Sequence, residues 1–565
     1  MKTTFTYDKY VDYAEMTAYL KQLQEAHPSL MKLSSICETE EGKQVWVVEL
    51  TNTQSGDFAD KPAYYVDGNH HAGELMGSMA CLHFIDYMLT NHSESHEIQD
   101  LLNHKTLYVI PKISPDGADT YMHTPNSLRS VNRDYPKKEL EDGLHPCDID
   151  GDGVIRLMRI KSPYGIWKVS PTDDRLFVKR QPDDIEGPFY FVYPEGDIQN
   201  YDGINIKLAA SNWGLDFNRN YPFGWFSEYR QPGAGKYPLS NPENKAVADF
   251  VIEHQNIGTA ATLHTSGGMI VYPPGVHPEK EASEFDMRLY KEIGNMGTEE
   301  TGYPCYNIFD AFLTDTVNYS SGAFDDWCYF TQGIPTYTIE FWDLLKQCGI
   351  EHVYPTKRPK DEKTLAQYYQ KQVAWMDQQA AEPDKFKNWT KWQHPTLGEV
   401  EIGGVNFKYT EQNCPPHFLK EEIEKNTKFM IRHANTLPKL VVESIAYRPL
   451  SQQLYEVNLI IGNHGYLPTY ICEQAKVAKV DHPITVECLG ADDFMGGSSI
   501  QQIGHLEGFS GVTGTYGYSG IKTEVLGAQQ KKVTFYVKAN KETTLIFKIT
   551  SQKCGKLITS LTLEK

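Results

Sequence analysis

The order of apolar and polar residues predicts interleaved helices and strands over most of the chain. DYAEMTAYLKQLQEAH (12–27) has the spacing of an amphipathic helix, strands are predicted within 34–52, and KTLAQYYQKQVAWMDQQ (363–379) is again helical. PAYYVDG (62–68) is a continuous apolar run typical of a buried strand, and ELMGSMACLHFIDYML (74–89) returns to helical spacing. This alternation predicts an α/β fold.

The pattern changes near residue 436, where short strands divided by Gly, Asn and Asp turns begin. YEVNLIIGN, ITVECLG, KVTFYVKA and TTLIFKITS are among them and predict an antiparallel β-sandwich of immunoglobulin-like type. We therefore divide the chain into a domain at 1–435 and an all-β domain at 436–565. A segment at about 134–213, with Pro, Asp and Gly, is predicted to be an insertion in the first domain.

A His-x-x-Glu pair, His71 and Glu74, falls where the strand at 62–68 gives way to the helix at 74–89. Ligand sites in α/β folds lie at such carboxyl ends of strands. Zn²⁺ takes imidazole nitrogen and carboxylate oxygen, and a catalytic zinc keeps three protein ligands. The pair therefore indicates two ligands of a metal site. The structural alternative is a buried histidine beside a carboxylate favoured by the helix dipole.

Two more predicted strands end in polar residues suited to chemistry. GTAATLHTSGG brings His264 to the end of an apolar run, and IPTYTIEFW brings Glu340 to a similar place. A carboxylate between Ile339 and Phe341 is costly to keep ionised without a partner or a function. For Glu340 the alternative is an internal salt bridge.

These motifs, in this order and together with GLDFNRNYP and SGAFDDWCY, resemble the zinc carboxypeptidases of the A/B type. The resemblance covers about residues 5–400, allowing for the insertion. It implies a mixed eight-stranded sheet flanked by helices and one Zn²⁺ held by His71, Glu74 and His264. Glu340 would be the general base, and the substrate a peptide with a free C-terminal carboxylate.

The resemblance also implies groups that bind the substrate. Asn218 and Arg219 would bind the terminal carboxylate, for which a planar cation beside an amide is suited; a plain loop dipeptide is the alternative. The segment ISPDGADTYMHTPNSLRSVNRDYP has Ser114 where the family has Asn. Counting from its Pro-Asp-Gly favours Arg129 as the cation that stabilises the oxyanion, and Arg133 is the alternative.

Two further positions bear on the lid and on specificity. The family's lid tyrosine aligns with Asn318, so Tyr319 takes that role only with a shift in register, and ordinary loop packing is the alternative. Asp325 falls where B-type members carry the acidic residue of the side-chain pocket, which implies a preference for basic or amino-bearing terminal residues. The neighbouring Asp326 would be structural or share its hydrogen bonds.

Composition narrows the partners and the compartment. The chain has 565 residues, 40% of them hydrophobic, and its net charge of −20 argues against nucleic acid or an anionic membrane as partner. We find no apolar run of transmembrane length and no signal-peptide core at the N-terminus, which predicts a cytoplasmic protein, or a secreted one whose signal was removed. The ten cysteines lack a CxxC pattern and are expected to be reduced.

The predicted insertion contains DIDGDGVIRLMR, whose Asp148, Asp150 and Asp152 resemble the first half of a calcium-binding loop. The twelfth position is Arg159 instead of Glu, so a tight Asp-rich turn is favoured over a Ca²⁺ site. We expect a metallocarboxypeptidase. The alternatives are an amidase or endopeptidase acting on murein peptides with diaminopimelate, and an inactive peptidase-like binding module.

Overall fold

The computed structural model describes residues 2–313, 315, 317, 319–351, 362–379, 385–517, 519–525, 528–540 and 542–564. Within these ranges the helices are α1 (Tyr13–Ala26), α2 (Leu75–Asn91), α3 (His96–His104), α4 (Pro115–His123), α5 (Pro242–Glu253), α6 (Glu284–Thr301), α7 (Phe324–Gln332), α8 (Leu344–Gln347), α9 (Glu362–Gln378), α10 (Pro416–Asn435) and α11 (Glu473–Ala478). The strands are β1 (Met31–Glu38), β2 (Gln44–Leu50), β3 (Ala63–Gly68), β4 (Thr106–Ile110), β5 (Gly143–Pro146), β6 (Leu157–Lys161), β7 (Trp167–Val169), β8 (Phe177–Lys179), β9 (Tyr190–Pro194), β10 (Gly196–Gln199), β11 (Ile257–Thr265), β12 (Met269–Tyr272), β13 (Cys305–Asn307), β14 (Thr336–Phe341), β15 (Phe386–His394), β16 (Gly398–Val405), β17 (Leu440–Pro449), β18 (Leu454–Asn463), β19 (Ile484–Leu489), β20 (Asp493–Phe494), β21 (Ile500–Gly504), β22 (Val512–Gly517), β23 (Gly520–Val525), β24 (Gln530–Lys538), β25 (Thr544–Ser551) and β26 (Gly555–Thr562).

The central sheet has eight strands in the order β1-β2-β4-β3-β11-β14-β12-β13. Its four middle strands, β4, β3, β11 and β14, run parallel to one another, and the outer pairs include antiparallel ones. Every residue of β3 and β11 is buried, as in strands covered by helices on both faces. The predicted eight-stranded mixed sheet flanked by helices is therefore confirmed.

Helix α2 lies directly against the middle of this sheet because two glycines remove the side chains between them. A Cβ atom on Gly77 would lie 2.6 Å from the carbonyl oxygen of Leu263, and one on Gly68 would lie 2.7 Å from the Gly77 carbonyl carbon. Both separations are shorter than real Cβ contacts allow. Backbone therefore packs on backbone here, and the first turn of α2 is held beside the ends of β3 and β11.

The predicted insertion contributes strands to a second sheet instead of forming an irregular loop. This sheet has six strands in the order β15-β16-β6-β9-β7-β8, so the insertion strand β6 pairs with β16, which follows α9. Arg159 on β6 donates to Glu401 on β16 at 2.6 Å. Its guanidinium also lies 4.8 Å from the ring centre of Tyr190 and 4.7 Å from that of Trp389.

The last part of the chain forms two antiparallel four-stranded sheets. Their orders are β17-β18-β24-β20 and β21-β19-β25-β26, and one apolar cluster fills the space between them. Along β18 buried and half-buried residues alternate, as expected for a sheet with one face on a core. The all-β part of the fold prediction is confirmed. No helix in the described ranges has the length and apolarity needed to cross a membrane, and all ten cysteines are free thiols.

Candidate active site

The turn between β3 and α2 presents His71 and Glu74 together. β3 ends at Gly68 and α2 begins at Leu75, which leaves Glu74 at the N-cap position of the helix. Asn69 adopts a left-handed backbone with φ of 65°, which asparagine tolerates, and its side-chain amide donates to the His71 carbonyl at 2.7 Å. These contacts turn both functional side chains to the same side of the sheet.

His264 reaches the same place from the neighbouring strand. β11 is parallel to β3, with Leu263 opposite Gly68, so His264 lies at the carboxyl ends of both strands. Its Nδ1 is 2.8 Å from Glu74 Oε2, and the Nδ1 of His71 is 2.8 Å from Glu74 Oε1. The two Nδ1 atoms are 3.2 Å apart. All three side chains are at most 4% exposed, so three predicted metal ligands converge in a buried cluster.

His71 and His264 each form a hydrogen bond through Nε2, so the Nδ1 atoms that face Glu74 remain available to a cation. His71 Nε2 is 3.0 Å from Asp216 Oδ1, so the proton of this ring belongs on Nε2. Thr262 donates its hydroxyl to Asp67 at 2.6 Å and can therefore accept from His264 Nε2 at 3.3 Å. Both Nδ1 lone pairs then face the Glu74 carboxylate. Two lone pairs and an anion in a dry cluster suit a divalent metal ion.

The charges around this cluster favour a bound cation. Burial opposes ionisation of Glu74, but positive charge on His71 and His264, which a bound metal ion would replace, holds the pKa of Glu74 below its usual range. Burial likewise opposes ionisation of Asp216, whereas Arg129 and His71 lower its pKa well below the ordinary value. Two ionised carboxylates therefore lie near one arginine. The sequence did not predict a role for Asp216, although this residue stands two positions before Asn218 in the GLDFNRNYP motif.

Glu340 lies beside His264, because the two residues are opposite each other in the parallel pair of β11 and β14. Its Oε2 atom is buried and has no hydrogen-bond partner among the described residues. The pKa of the Glu340 carboxyl is raised to about 8, mainly by burial and also by the charge of Glu74, while His264 and two arginines partly oppose the shift. Glu340 is therefore a carboxyl group whose titration is shifted by its surroundings, as is common at functional sites.

Of the two arginines weighed for the oxyanion role, Arg129 lies at the metal cluster. Its Nε donates to Asp216 Oδ2 at 2.8 Å, and its Nη1 is 3.5 Å from Glu74 Oε1. Arg133 instead forms a two-pronged pair with the buried Glu243, at 2.9 and 2.8 Å. Its guanidinium is thereby occupied by a structural ion pair.

Asn218 and Arg219 lie in a single turn, Phe217–Arg219, that Asp216 caps through the Asn218 amide. The Asn218 side-chain oxygen accepts from the Phe324 amide at 2.8 Å, which ties this turn to the start of α7. Arg219 donates to the Asn218 carbonyl at 2.5 Å. The charge of Arg219 lowers the pKa values of Glu340, Asp216 and Asp326.

Asp325 and Asp326 are two buried carboxyl groups in the first turn of α7, exposed by 3% and 2%. Asp325 accepts the Thr338 hydroxyl at 2.6 Å and the Asp326 amide at 2.8 Å. Asp326 accepts the Gly275 amide at 2.9 Å. Burial, with the neighbouring Asp325 as a second cause, raises the pKa of Asp326 to about 8. The described residues place no lysine or arginine within 4 Å of either group.

Tyr319 packs on a neighbouring loop. Its ring centre is 6.1 Å from that of Phe226, and the Arg230 guanidinium lies 5.2 Å from the Tyr319 ring and 3.6 Å from that of Phe226. Asn318, the residue aligned with the family's lid tyrosine, lies outside the described residues. A role for Tyr319 over the substrate stays a prediction.

The Asp-rich loop of the insertion is a compact turn closed by its own backbone and by a lysine. The carboxylate of Asp148 accepts the amides of Gly151 and Gly153 at 2.8 and 2.9 Å. The ammonium of Lys387 lies 2.5 Å from Asp150 and 2.8 Å from Asp152. These contacts agree with a tight Asp-rich turn, although Asp148, Asp150 and Glu195 lie close enough together to hold a metal ion.

Comparison with known proteins agrees with this geometry. A model described as "Zinc carboxypeptidase" matches residues 16–358, and a domain of unknown function matches 439–562. Carboxypeptidase B of Rattus norvegicus is 23% identical over 352 residues, which are 60% of this chain and 64% of that protein. Carboxypeptidase B of Astacus astacus is 23% identical over 59% of this chain and 86% of its own length.

Among solved structures, carboxypeptidase A of Helicoverpa armigera shares 19% identity over 67% of this chain and 75% of that chain, with a TM-score of 0.38. The family model alone spans more than half of the 565 residues, and the cluster of His71, Glu74 and His264 lies inside the matched range. Its description names zinc, the metal to which two imidazoles and a carboxylate are suited. The chain belongs to the zinc carboxypeptidase family.

Proposed function

We propose that this protein is a zinc carboxypeptidase that removes the C-terminal residue of peptides. The observation that carries the proposal is the convergence of His71 Nδ1, His264 Nδ1 and the Glu74 carboxylate, 2.8 to 3.2 Å apart, with Glu340 next to them in the sheet. The curated relatives are named carboxypeptidases, and this chain spans 64% of the first and 65% of the second.

His71, Glu74 and His264 would hold the zinc, which when bound activates water and polarises the scissile carbonyl. Glu340 in its ionised form takes a proton from the attacking water and returns it to the leaving amine, and the positive charge of a bound zinc favours that ionised form. Arg129 points one guanidinium nitrogen towards this cluster and stabilises negative charge that develops on the carbonyl oxygen.

Exopeptidase action requires that the free terminal carboxylate be bound. Arg219 is half-buried, and its positive charge lowers the pKa values of both Glu340 and Asp326, so a carboxylate bound by Arg219 would be close to both groups. Asn218 is held by the Phe324 amide and fixes the turn that carries Arg219. A planar guanidinium in a partly desolvated site binds a carboxylate with two hydrogen bonds.

The pair Asp325 and Asp326 supports a preference for basic or amino-bearing terminal side chains. Two adjacent buried carboxyls without a cationic partner in the described part of the chain destabilise each other, and a substrate ammonium or guanidinium would relieve this. The same acids favour one alternative substrate class, murein peptides with diaminopimelate, which carries a side-chain amine.

The test combines zinc stoichiometry with hydrolysis of peptides ending in Arg, Lys, Phe or diaminopimelate, each with a free and an amidated C-terminus. We expect one zinc per chain and cleavage of the free forms only. Glu340→Gln should keep the zinc and lose turnover, and exposed Glu253→Gln is the control. Equal cleavage of free and amidated peptides would overturn the exopeptidase assignment, and zinc without cleavage would indicate a binding module.

Pocket acidity is tested separately with Asp325→Asn. Loss of a buried charge partner costs about 2 kcal/mol or more, so kcat/KM for C-terminal Arg should fall at least about 30-fold relative to C-terminal Phe. Equal rates on Arg and Phe peptides in the unaltered protein would remove the basic preference and leave the carboxypeptidase assignment standing.

The domain division at 435/436 is also proposed. α10 ends at Asn435 and β17 begins at Leu440, and the second family match begins at residue 439, whereas the first ends at residue 358. The catalytic region would then be 1–435, with the insertion at about 134–213, and the β-domain 436–565.

A further inference from the structure

Helix α2 begins immediately after Glu74 and receives no capping hydrogen bond from the side chain of this N-cap residue. Glu74 occupies the N-cap position with φ −91° and ψ 66°, and its side chain makes no capping hydrogen bond because it faces His71 and His264. The first amides of any helix lack partners within the helix. When they are buried, another group must accept from them.

Asn413 provides that group from a distant part of the chain. Its Oδ1 accepts the amides of Leu75 and Met76 at 2.9 and 3.3 Å. Its Nδ2 donates to the carbonyls of Gly73 at 2.7 Å and Lys408 at 3.0 Å. Asn413 is fully buried, so a single side-chain amide binds the residues on both sides of Glu74.

The close approach of this segment depends on Gly73. A Cβ atom there would lie 2.6 Å from Cε2 of Tyr121 and 2.8 Å from Oε1 of Gln412. Tyr121 in turn donates its hydroxyl to Gln412 Oε1 at 2.8 Å. The chain around Asn413 is thus fitted against the turn that presents the metal ligand.

The same segment is fixed to the end of the Glu340 strand. Trp342, two residues beyond Glu340, is fully buried and donates its indole N–H to the Thr410 carbonyl at 2.8 Å. Tyr10 donates to the Cys414 carbonyl at 2.7 Å. Residues 408–414 therefore contact the helix of one functional carboxylate and the strand of the other, and they lie beyond the family match at 16–358.

We infer that Asn413 is a positioning residue for the metal ligand Glu74, acting as an N-cap supplied by a remote segment. An acidic side chain at an N-cap is drawn to the free amides of its own helix. Because Asn413 already satisfies the amides of Leu75 and Met76, the Glu74 carboxylate is left to face His71 and His264. This inference rests on the proposed ligand role of Glu74.

The test is the zinc dissociation constant of the full chain, measured by competition with a chromogenic chelator. Asn413→Ala should raise it about 10- to 100-fold, the range for partners that orient metal ligands. Asn463→Ala is the matched control, because this 4% exposed residue also accepts two amides and donates to two carbonyls, but in the β-domain. It should leave the zinc constant unchanged.

Asn413→Asp keeps an acceptor at the same reach and should bind zinc more tightly than Asn413→Gln, whose amide is displaced by one methylene. These two variants carry the test if the alanine variant does not fold. Equal zinc constants for Asn413→Ala and Asn463→Ala, or for the Asp and Gln variants, would overturn the inference. A starting protein that binds no zinc would instead overturn the proposed metal site, so the two failures are distinguishable.

Discussion

Replacing Glu340 with Gln should stabilise the metal-free protein, and the gain should grow as pH rises. The Glu340 carboxyl has an ordinary pKa of 4.5 and a pKa of about 8 in the folded chain. Between these values the folded protein holds a proton that the unfolded chain has released, so its stability falls as pH rises. Gln carries no such proton and escapes this loss.

The size of this loss in stability follows from the free energy of about 1.36 kcal/mol that corresponds to one pKa unit. At pH 7 the unfolded carboxyl is ionised and the folded one is mostly protonated, which costs the folded state about 3 kcal/mol. At pH 5 the cost is about 1 kcal/mol or less, because the unfolded group is then only partly ionised. The advantage of Glu340→Gln should therefore increase by about 2 kcal/mol between pH 5 and pH 7.

The assay is urea unfolding of both proteins in the presence of a chelator, followed by circular dichroism at pH 5, 6, 7 and 8. A new hydrogen bond of the substituted amide would contribute equally at every pH, so the change in unfolding free energy with pH reports the ionisation of Glu340. Glu253→Gln, at an exposed site on α5, should show no such pH-dependent gain. If the unfolding free energies of the starting protein and Glu340→Gln stay parallel from pH 5 to 8, the reasoning about desolvation is refuted.

Three other substitutions test the geometry. Gly77→Ala places a Cβ 2.6 Å from the Leu263 carbonyl oxygen and should lower the unfolding free energy by about 1–3 kcal/mol. Gly497→Ala, with open space around it, is the control and should lower it far less, so equal melting temperatures of the two variants would contradict this. Asp216→Ala removes the acceptor for His71 Nε2 and should weaken zinc binding about 10- to 100-fold in a chelator competition; an unchanged constant would dismiss the orienting role. Arg219→Met should lower kcat/KM for peptides with a free C-terminus at least about 30-fold, and an undiminished value would exclude carboxylate binding there.

The sequence predicted the parts of the fold that rest on continuous apolar patterns. The strand at 62–68 and the helix at 74–89 appear as β3 and α2, and the all-β character after 436 is confirmed by two four-stranded sheets. For the insertion, the sequence predicted the approximate bounds but not the strands. Its strand β6 pairs with β16, a partner more than two hundred residues away, and a short strand carries no local sign of such pairing.

The residues of the site likewise divide into those that the sequence predicted and those that it did not. His71, Glu74, His264 and Glu340 stand at the ends of apolar runs, where a lone polar residue is conspicuous. Asp216 stood within a motif already quoted, but no local pattern says that its carboxylate would reach a histidine 145 residues earlier. No sequence pattern indicated a role for Asn413. An asparagine in a polar stretch is typical of a loop, and its role depends on a contact with the first turn of α2 that forms only in the folded protein.

The pairing of β6 with β16 has a consequence for synthesis on the ribosome. Arg159 and Glu401 are 242 residues apart, so at about 5–20 residues per second the partner strand emerges about 10 to 50 s after the first one. During that interval β6 presents an unpaired edge that other nascent chains could extend. Chaperone dependence of this protein in the cell should therefore centre on the interval before β16 leaves the exit tunnel.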